Sequence, residues 1–70
     1  MPDINVQFGK RLRELREKAG ITQEELSQLS GVDYKYIQRL EGKNPSSPSL
    51  NILSKLAKAF KLTIAQMLNF

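Results

Sequence analysis

Apolar residues recur along the chain at steps of three and four, the spacing that lines one face of an α-helix. The first series consists of Ile4, Phe8, Leu12, Leu15 and Ala19. It predicts a helix over residues 4–19 whose other faces carry charged side chains in water. Gly20 follows directly and is predicted to end this helix in the left-handed conformation.

A second helix is predicted to begin after Thr22. The sequence Thr-Gln-Glu-Glu places a hydroxyl at the cap and the Glu25 carboxylate three residues on, where each can accept a hydrogen bond from the other residue's main-chain amide. Leu26 and Leu29 give this helix a narrow apolar edge. Gly31 is predicted to end it.

Asp33 is predicted to cap a third helix, in which the apolar residues Ile37 and Leu40 lie three positions apart. Gly42 is predicted to end this helix. The next stretch, KNPSSPS, is rich in proline and serine, so it is predicted to be a loop.

The fourth predicted helix begins after a serine cap at Ser49 and continues to Lys61. Its apolar positions are Leu50, Leu53, Leu56, Ala57 and Phe60. A second capping box, from Thr63 to Gln66, predicts a short fifth helix. The pattern therefore predicts an all-α chain of five helices without a strand.

The length and composition limit what this chain can do. Seventy residues without repeats predict a single small domain over residues 1–70. The absence of cysteine and histidine removes disulfides, the usual zinc ligands and the commonest general base, and no phosphate-binding glycine loop is present. We therefore expect a protein that is not an enzyme, with no catalytic residue, no metal site and no cofactor.

The charge balance narrows the choice of partners. Eleven Lys and Arg against seven Asp and Glu give a formal net charge of +4, which favours a polyanionic partner. No long apolar run and no signal peptide is present, so we expect no membrane contact and a cytoplasmic location. Because the five predicted helices use all seventy residues, no small-molecule ligand is expected.

The second and third predicted helices meet at Gly31 in the arrangement of a helix-turn-helix, whose second helix enters the major groove of DNA. Counting from Gln23, a leucine falls at the fourth position, a small residue at the fifth, glycine at the ninth and an aliphatic residue at the tenth. Further aliphatic residues fall at the fifteenth and eighteenth positions. A random chain rarely meets all of these conditions, so the spacing predicts a DNA-binding unit.

The chain resembles the phage Cro and repressor type of helix-turn-helix DNA-binding domain, the lambda repressor-like or XRE type, from about Phe8 to Leu68. The segments that carry this resemblance are FGKRLRELREKAGITQEELSQLSG, YIQRLEG and PSLNILSKLAKAF. Ser27 departs mildly, since the family more often has alanine there. The resemblance implies a compact five-helix domain that acts as a homodimer on a palindromic operator in double-stranded DNA, as a transcriptional repressor or, alternatively, an activator.

The resemblance also implies which residues contact DNA. The implied base-reading residues on the third helix are Tyr34, Lys35, Gln38 and Arg39. The cationic side chains among them match the O6 and N7 acceptors of guanine. The implied phosphate contacts, which position the protein without selecting sequence, are Gln23, Tyr36, Lys43 and Asn44. Asp33 matches a further exposed position but is interpreted first as the cap of the helix.

Two structural roles follow from the same resemblance. It implies a buried ion pair between Arg16 and Glu41, whereas the general alternative is two solvated charges. It also implies dimerisation through the last helix, where the expected interface residues are Ile64, Met67, Leu68 and Phe70. The alternative is that this apolar end only closes the core of one chain.

A second class of function stays open at this point. The same fold could act as a protein-interaction module, such as an antitoxin that neutralises a partner protein. The cations Lys35, Arg39 and Lys43 on one surface count against a purely protein-binding role. The basic residues of the first helix, Lys10, Arg11 and Arg13, alternate with glutamates and are interpreted as a solvated face.

Overall fold

A computed structural model describes residues 3–70 of the chain, so Met1 and Pro2 of the predicted domain lie outside the described residues. Five helices follow one another in this range: α1 Ile4–Ala19, α2 Gln23–Ser30, α3 Tyr34–Glu41, α4 Leu50–Ala59 and α5 Ile64–Met67. The predicted all-α fold of five helices is confirmed, and residues 3–70 contain no strand.

Glycines end the first two helices as predicted. Gly20 and Gly31 have φ angles of 70° and 76°, in the left-handed region that an L side chain rarely adopts. The Gly31 amide donates to the Ser27 carbonyl and so closes the last turn of α2. Gly42 ends α3 differently, because its φ of −85° and ψ of −169° are extended rather than left-handed.

Both predicted capping boxes are present. The Thr22 hydroxyl accepts from the Glu25 amide at 3.1 Å, and the Glu25 carboxylate accepts from the Thr22 amide at 2.9 Å. Thr63 and Gln66 make the same two bonds at 3.0 and 2.9 Å. These bonds satisfy main-chain donors that a helix start leaves without a partner inside the helix.

The prediction that the Asp33 side chain caps α3 is wrong. Asp33 occupies the cap position, but its side chain makes no capping hydrogen bond and is exposed. Its main-chain carbonyl accepts from the Ile37 amide at 3.1 Å and so begins the helical bonding pattern. The helix start is therefore set by the main chain, while the carboxylate stays in water.

One apolar core joins all five helices and the α2–α3 turn. Its buried members are Phe8, Leu12, Leu15, Leu26, Val32, Ile37, Leu40, Leu53, Leu56, Ala57 and Met67. Around it, α1 packs on α3, α2 packs on α3 and α4, and α4 packs on α5. The core therefore fixes the orientation of α3 from several sides.

Periodicity alone overestimated the buried faces near helix ends. Ile4, Leu29 and Leu50 are 69%, 62% and 77% exposed. Ile4 and Leu50 are the first residues of α1 and α4, and Leu29 lies in the last turn of α2. At a helix end, an apolar residue can keep the helical spacing and still be exposed, because the neighbouring helices do not cover it.

Met67 was expected at a dimer interface, and this expectation is wrong. Its side chain is fully buried, with 0% exposure within a single chain, so it fills the core and cannot contact a second copy. On the helix, Met67 lies three residues after Ile64, which is partly buried, and the following Leu68 is 36% exposed. The short helix thus turns one residue inward and leaves its neighbours at the surface.

Two contacts to α1 were not predicted. Gly9 is buried where α1 crosses α3, so closely that a Cβ atom at this position would overlap the main-chain carbonyl of Leu40. Arg11 donates from Nε to the Met67 carbonyl and from Nη2 to the Gln66 carbonyl, both at 3.1 Å. Arg11 is therefore not part of a merely solvated face, because it satisfies carbonyls at the end of α5.

Candidate nucleic-acid interface

The turn between α2 and α3 is held by serine side chains as well as by Gly31. The Ser27 hydroxyl donates to the Val32 carbonyl at 2.6 Å, and the Ser30 hydroxyl accepts from the Val32 amide at 3.1 Å. The Val32 side chain is only 2% exposed and fills the corner between the helices. Ser27, the departure from alanine, therefore adds a bond that fixes the angle between α2 and α3.

The two sides of α3 differ in character. Ile37 and Leu40 are 0% and 1% exposed, so the inward side is anchored in the core. The outward side presents Lys35, Gln38 and Arg39, which are all exposed. Within residues 3–70 no ion pair holds Lys35 or Arg39, so both cations are available for an external anion or base edge.

Tyr34 stands apart from these exposed residues because its side chain is half-buried. It lines an open depression of about 440 Å³ at the start of α2, together with residues that include Arg16 and Gln23. Its hydroxyl accepts a hydrogen bond from Gln38 Nε2 at 3.1 Å. The two residues lie four apart on one helix, and this spacing is the signal from which their contact could have been predicted.

An ion pair joins α1 to the end of α3. Arg16 donates from Nε and Nη2 to the two carboxylate oxygens of Glu41, both at 2.8 Å, and from Nη1 to the Ile21 carbonyl at 3.0 Å. The Arg16 and Glu41 side chains are 13% and 4% exposed. The hydrogen bond to Glu41 raises the pKa of Arg16, against the lowering effect of burial, so the guanidinium stays charged.

Gln23 is attached to this ion pair. Its Nε2 donates to Glu41 Oε1 at 3.2 Å, so Glu41 connects the start of α2 to α1 and α3. The side chain is half-buried and lies at the end of α2 where main-chain amides point outward. A second Nε2 hydrogen and the amide oxygen stay available to an external group.

The other residues expected to contact phosphate follow α3 or lie within it. Lys43 and Asn44 are exposed at the start of the loop after Gly42. Tyr36 is half-buried and packs against the core with part of its side chain accessible. The structure thus links Tyr34 with Gln38, and Gln23 with the ion pair, while the loop residues stand separately.

The residues expected at a dimer interface lie at the other end of the chain. Ile64 is half-buried, whereas Leu68 and Phe70 are 36% and 53% exposed. Leu68 and Phe70 line an open groove of about 450 Å³ with Ile4, Phe8 and other residues of α1, the loop before α4 and α4. This groove joins the two ends of the chain in one apolar surface.

Within residues 3–70, no helix is long and apolar enough to cross a membrane. The same residues contain no group of three acidic, histidine or cysteine side chains arranged to hold a metal ion.

Comparison with known proteins gives the family. The sequence pattern of the helix-turn-helix family matches residues 12–67. The HTH-type transcriptional regulator PuuR of Escherichia coli is 33% identical over 66 residues, which are 94% of this chain and 35% of PuuR. This chain thus spans about a third of that relative. An uncharacterized HTH-type transcriptional regulator of Archaeoglobus fulgidus is 42% identical over 60 residues, 86% of this chain and 84% of the relative.

A solved structure agrees in fold as well as in sequence. The restriction-modification controller protein C.AhdI from Aeromonas hydrophila superposes with a TM-score of 0.83 at 40% sequence identity. The match covers 90% of this chain and 94% of C.AhdI, so it includes the supporting helices as well as α2 and α3.

Proposed function

The chain belongs to the helix-turn-helix family, and from this premise we propose that it is a transcriptional regulator that binds double-stranded DNA. More specifically, it represses transcription as a homodimer on a palindromic operator. The observation that carries this proposal is the two-sided α3, which buries Ile37 and Leu40 while Lys35, Gln38 and Arg39 face outward. Its site of action is the cytoplasm, where the DNA of bacterial and archaeal cells lies.

In this proposal α3 enters the major groove and its exposed side chains meet base edges. Arg39 can donate two hydrogen bonds at once and so fits the O6 and N7 acceptors of guanine. Lys35 donates to the same pair of acceptors as a single cationic group. Tyr34, which is half-buried, and Gln38, which is exposed, complete the reading surface.

Phosphate contacts hold α3 in register. Gln23 lies at the positive end of α2 and is kept in place by its bond to Glu41. Lys43 and Asn44, which follow α3, are proposed to meet the DNA backbone, and the Tyr36 hydroxyl is proposed as a further phosphate contact. These groups bind any sequence alike, so they add affinity and orientation but no selectivity.

The apolar surface near α5 is the proposed contact between two copies. Leu68 and Phe70 line its groove together with Ile4 of α1. We assign the half-buried Ile64 of α5 to the same interface. A second copy covering this surface would remove apolar area from water, which is the main favourable term in association. To read two half-sites one turn of DNA apart, a symmetric dimer of this kind would have to hold its two α3 helices about 34 to 36 Å apart.

Selection of binding sites from random DNA tests the whole proposal. The expected result is an inverted repeat with a fixed spacing between its halves. If no sequence is enriched and no salt-sensitive DNA binding is seen at 50 mM salt, the proposal fails, and recovery of a stoichiometric protein partner would then favour a protein-interaction module.

Matched substitutions separate base reading from phosphate binding. Arg39→Ala should weaken operator binding by about 1 to 3 kcal/mol and broaden one position of the site. Lys43→Ala should weaken binding to operator and scrambled DNA alike and reduce the salt dependence by about one unit of slope. The control is Lys58→Ala, which removes an exposed lysine of α4. It should change neither the affinity for DNA nor its salt dependence. An equal loss on both DNAs for Arg39→Ala would contradict its role as a base reader.

A further inference from the structure

We infer that Tyr34 and Gln38 form one reading unit, in which Tyr34 positions the Gln38 amide to select adenine in an adenine–thymine pair. This inference rests on the proposed DNA-binding function and specifies one base that α3 reads. It starts from the hydrogen bond that Gln38 Nε2 donates to the Tyr34 hydroxyl at 3.1 Å. Tyr34 is thus a positioning residue, and Gln38 is the residue that contacts the base.

The remaining hydrogen-bonding groups of Gln38 determine which base it fits. A side-chain amide carries two N–H donors and one carbonyl acceptor, and the bond to Tyr34 uses one donor. One donor and the acceptor of the same amide group remain for a base. Adenine presents the complementary pair in the major groove, an N7 acceptor beside an N6 amino donor.

The other bases fit this arrangement less well. Guanine presents two acceptors, so the carbonyl oxygen of Gln38 would face an acceptor without a hydrogen between them. Cytosine presents one amino donor, and thymine presents one acceptor and a methyl group, so each leaves half of the amide unpaired. Adenine is the base that satisfies both remaining groups of Gln38 at once.

Tyr34 is suited to position the amide because its side chain is less exposed than that of Gln38. It is half-buried and lines the depression at the start of α2, which Thr22 and Gln23 also line. Gln38 is exposed and long, so without a partner it would lose rotamer freedom when it meets a base. The bond to the tyrosine hydroxyl restricts that freedom before DNA arrives, which favours the bound arrangement.

The hydroxyl makes this inference testable, because Tyr34→Phe removes it and keeps the ring. Site selection with Gln38→Ala first identifies the base pair whose preference is lost. At that position the wild-type protein should favour adenine by about fivefold or more, as expected for a two-bond contact. Tyr34→Phe should reduce this preference about two- to tenfold, the effect of one neutral hydrogen bond, and leave affinity for scrambled DNA unchanged.

The double variant distinguishes positioning of Gln38 by Tyr34 from a merely structural role of Tyr34. If Tyr34 acts through Gln38, adding Tyr34→Phe to Gln38→Ala should cause no further loss of preference at that position. Tyr36→Phe makes the same chemical change on the half-buried tyrosine two residues on. Because that hydroxyl is a proposed phosphate contact, its loss should weaken binding to operator and scrambled DNA alike and leave the adenine preference intact. Thermal unfolding of each variant verifies that the fold is retained.

Several results would overturn the inference. One is a base other than adenine at the position that Gln38 reads. Another is a loss with Tyr34→Phe that is equal on operator and scrambled DNA, or equally large in the Gln38→Ala background, because Tyr34 would then act on its own. A wild-type protein that selects no sequence would refute the proposed function as well, and this outcome is distinguishable because it precedes any substitution.

Discussion

Removal of one partner of the Arg16–Glu41 ion pair should destabilise the domain strongly. In Arg16→Met the Glu41 carboxylate, which is 4% exposed, keeps only the bond from Gln23 and loses its counter-charge. The Ile21 carbonyl loses its bond from Arg16 as well. Breaking a buried pair on one side costs about 3 to 5 kcal/mol because a charge is left buried without compensation.

This cost is large relative to the stability of a small domain. Folded domains are stable by about 5 to 15 kcal/mol, and small ones lie near the lower end. In urea, where small proteins lose about 1 kcal/mol of stability per molar, the unfolding midpoint of Arg16→Met should fall by about 3 M or more. Circular dichroism at the helix band follows the transition directly.

A second ion pair on α1 supplies a matched control. Arg13 and Glu17 are 3.9 Å apart with side chains 65% and 64% exposed, so this pair is solvated. Arg13→Met makes the same substitution in the same helix, and it should cost less than about 1 kcal/mol. If Arg16→Met and Arg13→Met shift the midpoint equally, burial does not make the Arg16–Glu41 pair more important for stability than a solvated pair.

The double substitution distinguishes a buried charge from lost packing. In Arg16→Met with Glu41→Leu, no charge is left in the interior, so much of the stability lost in the single variant should return. The Gln23 amide would then lack its acceptor, so a small part of the loss should remain. A double variant whose loss equals the sum of the two single losses would refute an energetic coupling between the residues.

Three further predictions follow from the packing, the C-terminal surface and the pKa of Arg16. Gly9→Ala should gain about 1 kcal/mol from helix propensity, yet it should lower the urea midpoint. The added Cβ atom would overlap the Leu40 carbonyl and force α1 and α3 apart, and overpacking of this type costs about 1 to 3 kcal/mol. A higher urea midpoint would contradict the close approach of the two helices. Leu68→Glu should convert the dimer to a monomer in sedimentation equilibrium. Leu29→Glu makes the same change at an exposed leucine outside the proposed interface and should leave the dimer intact. Equal effects of the two substitutions would argue against the proposed interface. Because the pKa of Arg16 is raised, its stabilisation is complete below the unfolded-state pKa and is lost only as pH rises through the higher folded-state value, so the cost of Arg16→Met should be constant from about pH 6 to 9.

The amino-acid sequence by itself determined where most of the helices begin and end. The end of α4 is the exception, because the helix was predicted to reach Lys61 but ends at Ala59, and Lys61 is in the left-handed region with a φ of 59°. Gly20 and Gly31 are left-handed in the structure, as predicted, and Thr22 and Thr63 open capping boxes. These features depend on groups within about four residues of one another along the chain, so they form without reference to the rest of the fold. The spacing counted from Gln23 identified the helix-turn-helix because it lies within one continuous stretch that ends at Leu40.

The tertiary structure decided which side chains are free to act. Met67 follows the same apolar pattern as Leu68, yet it is fully buried. Gly9 has no side chain that could contribute to an apolar pattern, and Arg11 lies among charged residues that predict a solvated face. Both nevertheless contact residues distant in the chain, Gly9 at Leu40 and Arg11 at Met67. A helical period specifies one face of a helix, whereas burial depends on how far the neighbouring helix extends over that face.

The surface of α3 shows both contributions together. Its residues were found by spacing and resemblance, and their exposure follows from the burial of Ile37 and Leu40 on the opposite side. The surroundings of Tyr34 and Gln38 differ because Tyr34 is half-buried and lines the depression at the start of α2, whereas Gln38 is exposed, and only the folded chain creates that depression. Local interactions thus determine the helices, while the packing of one helix on another determines what each exposed residue can contact.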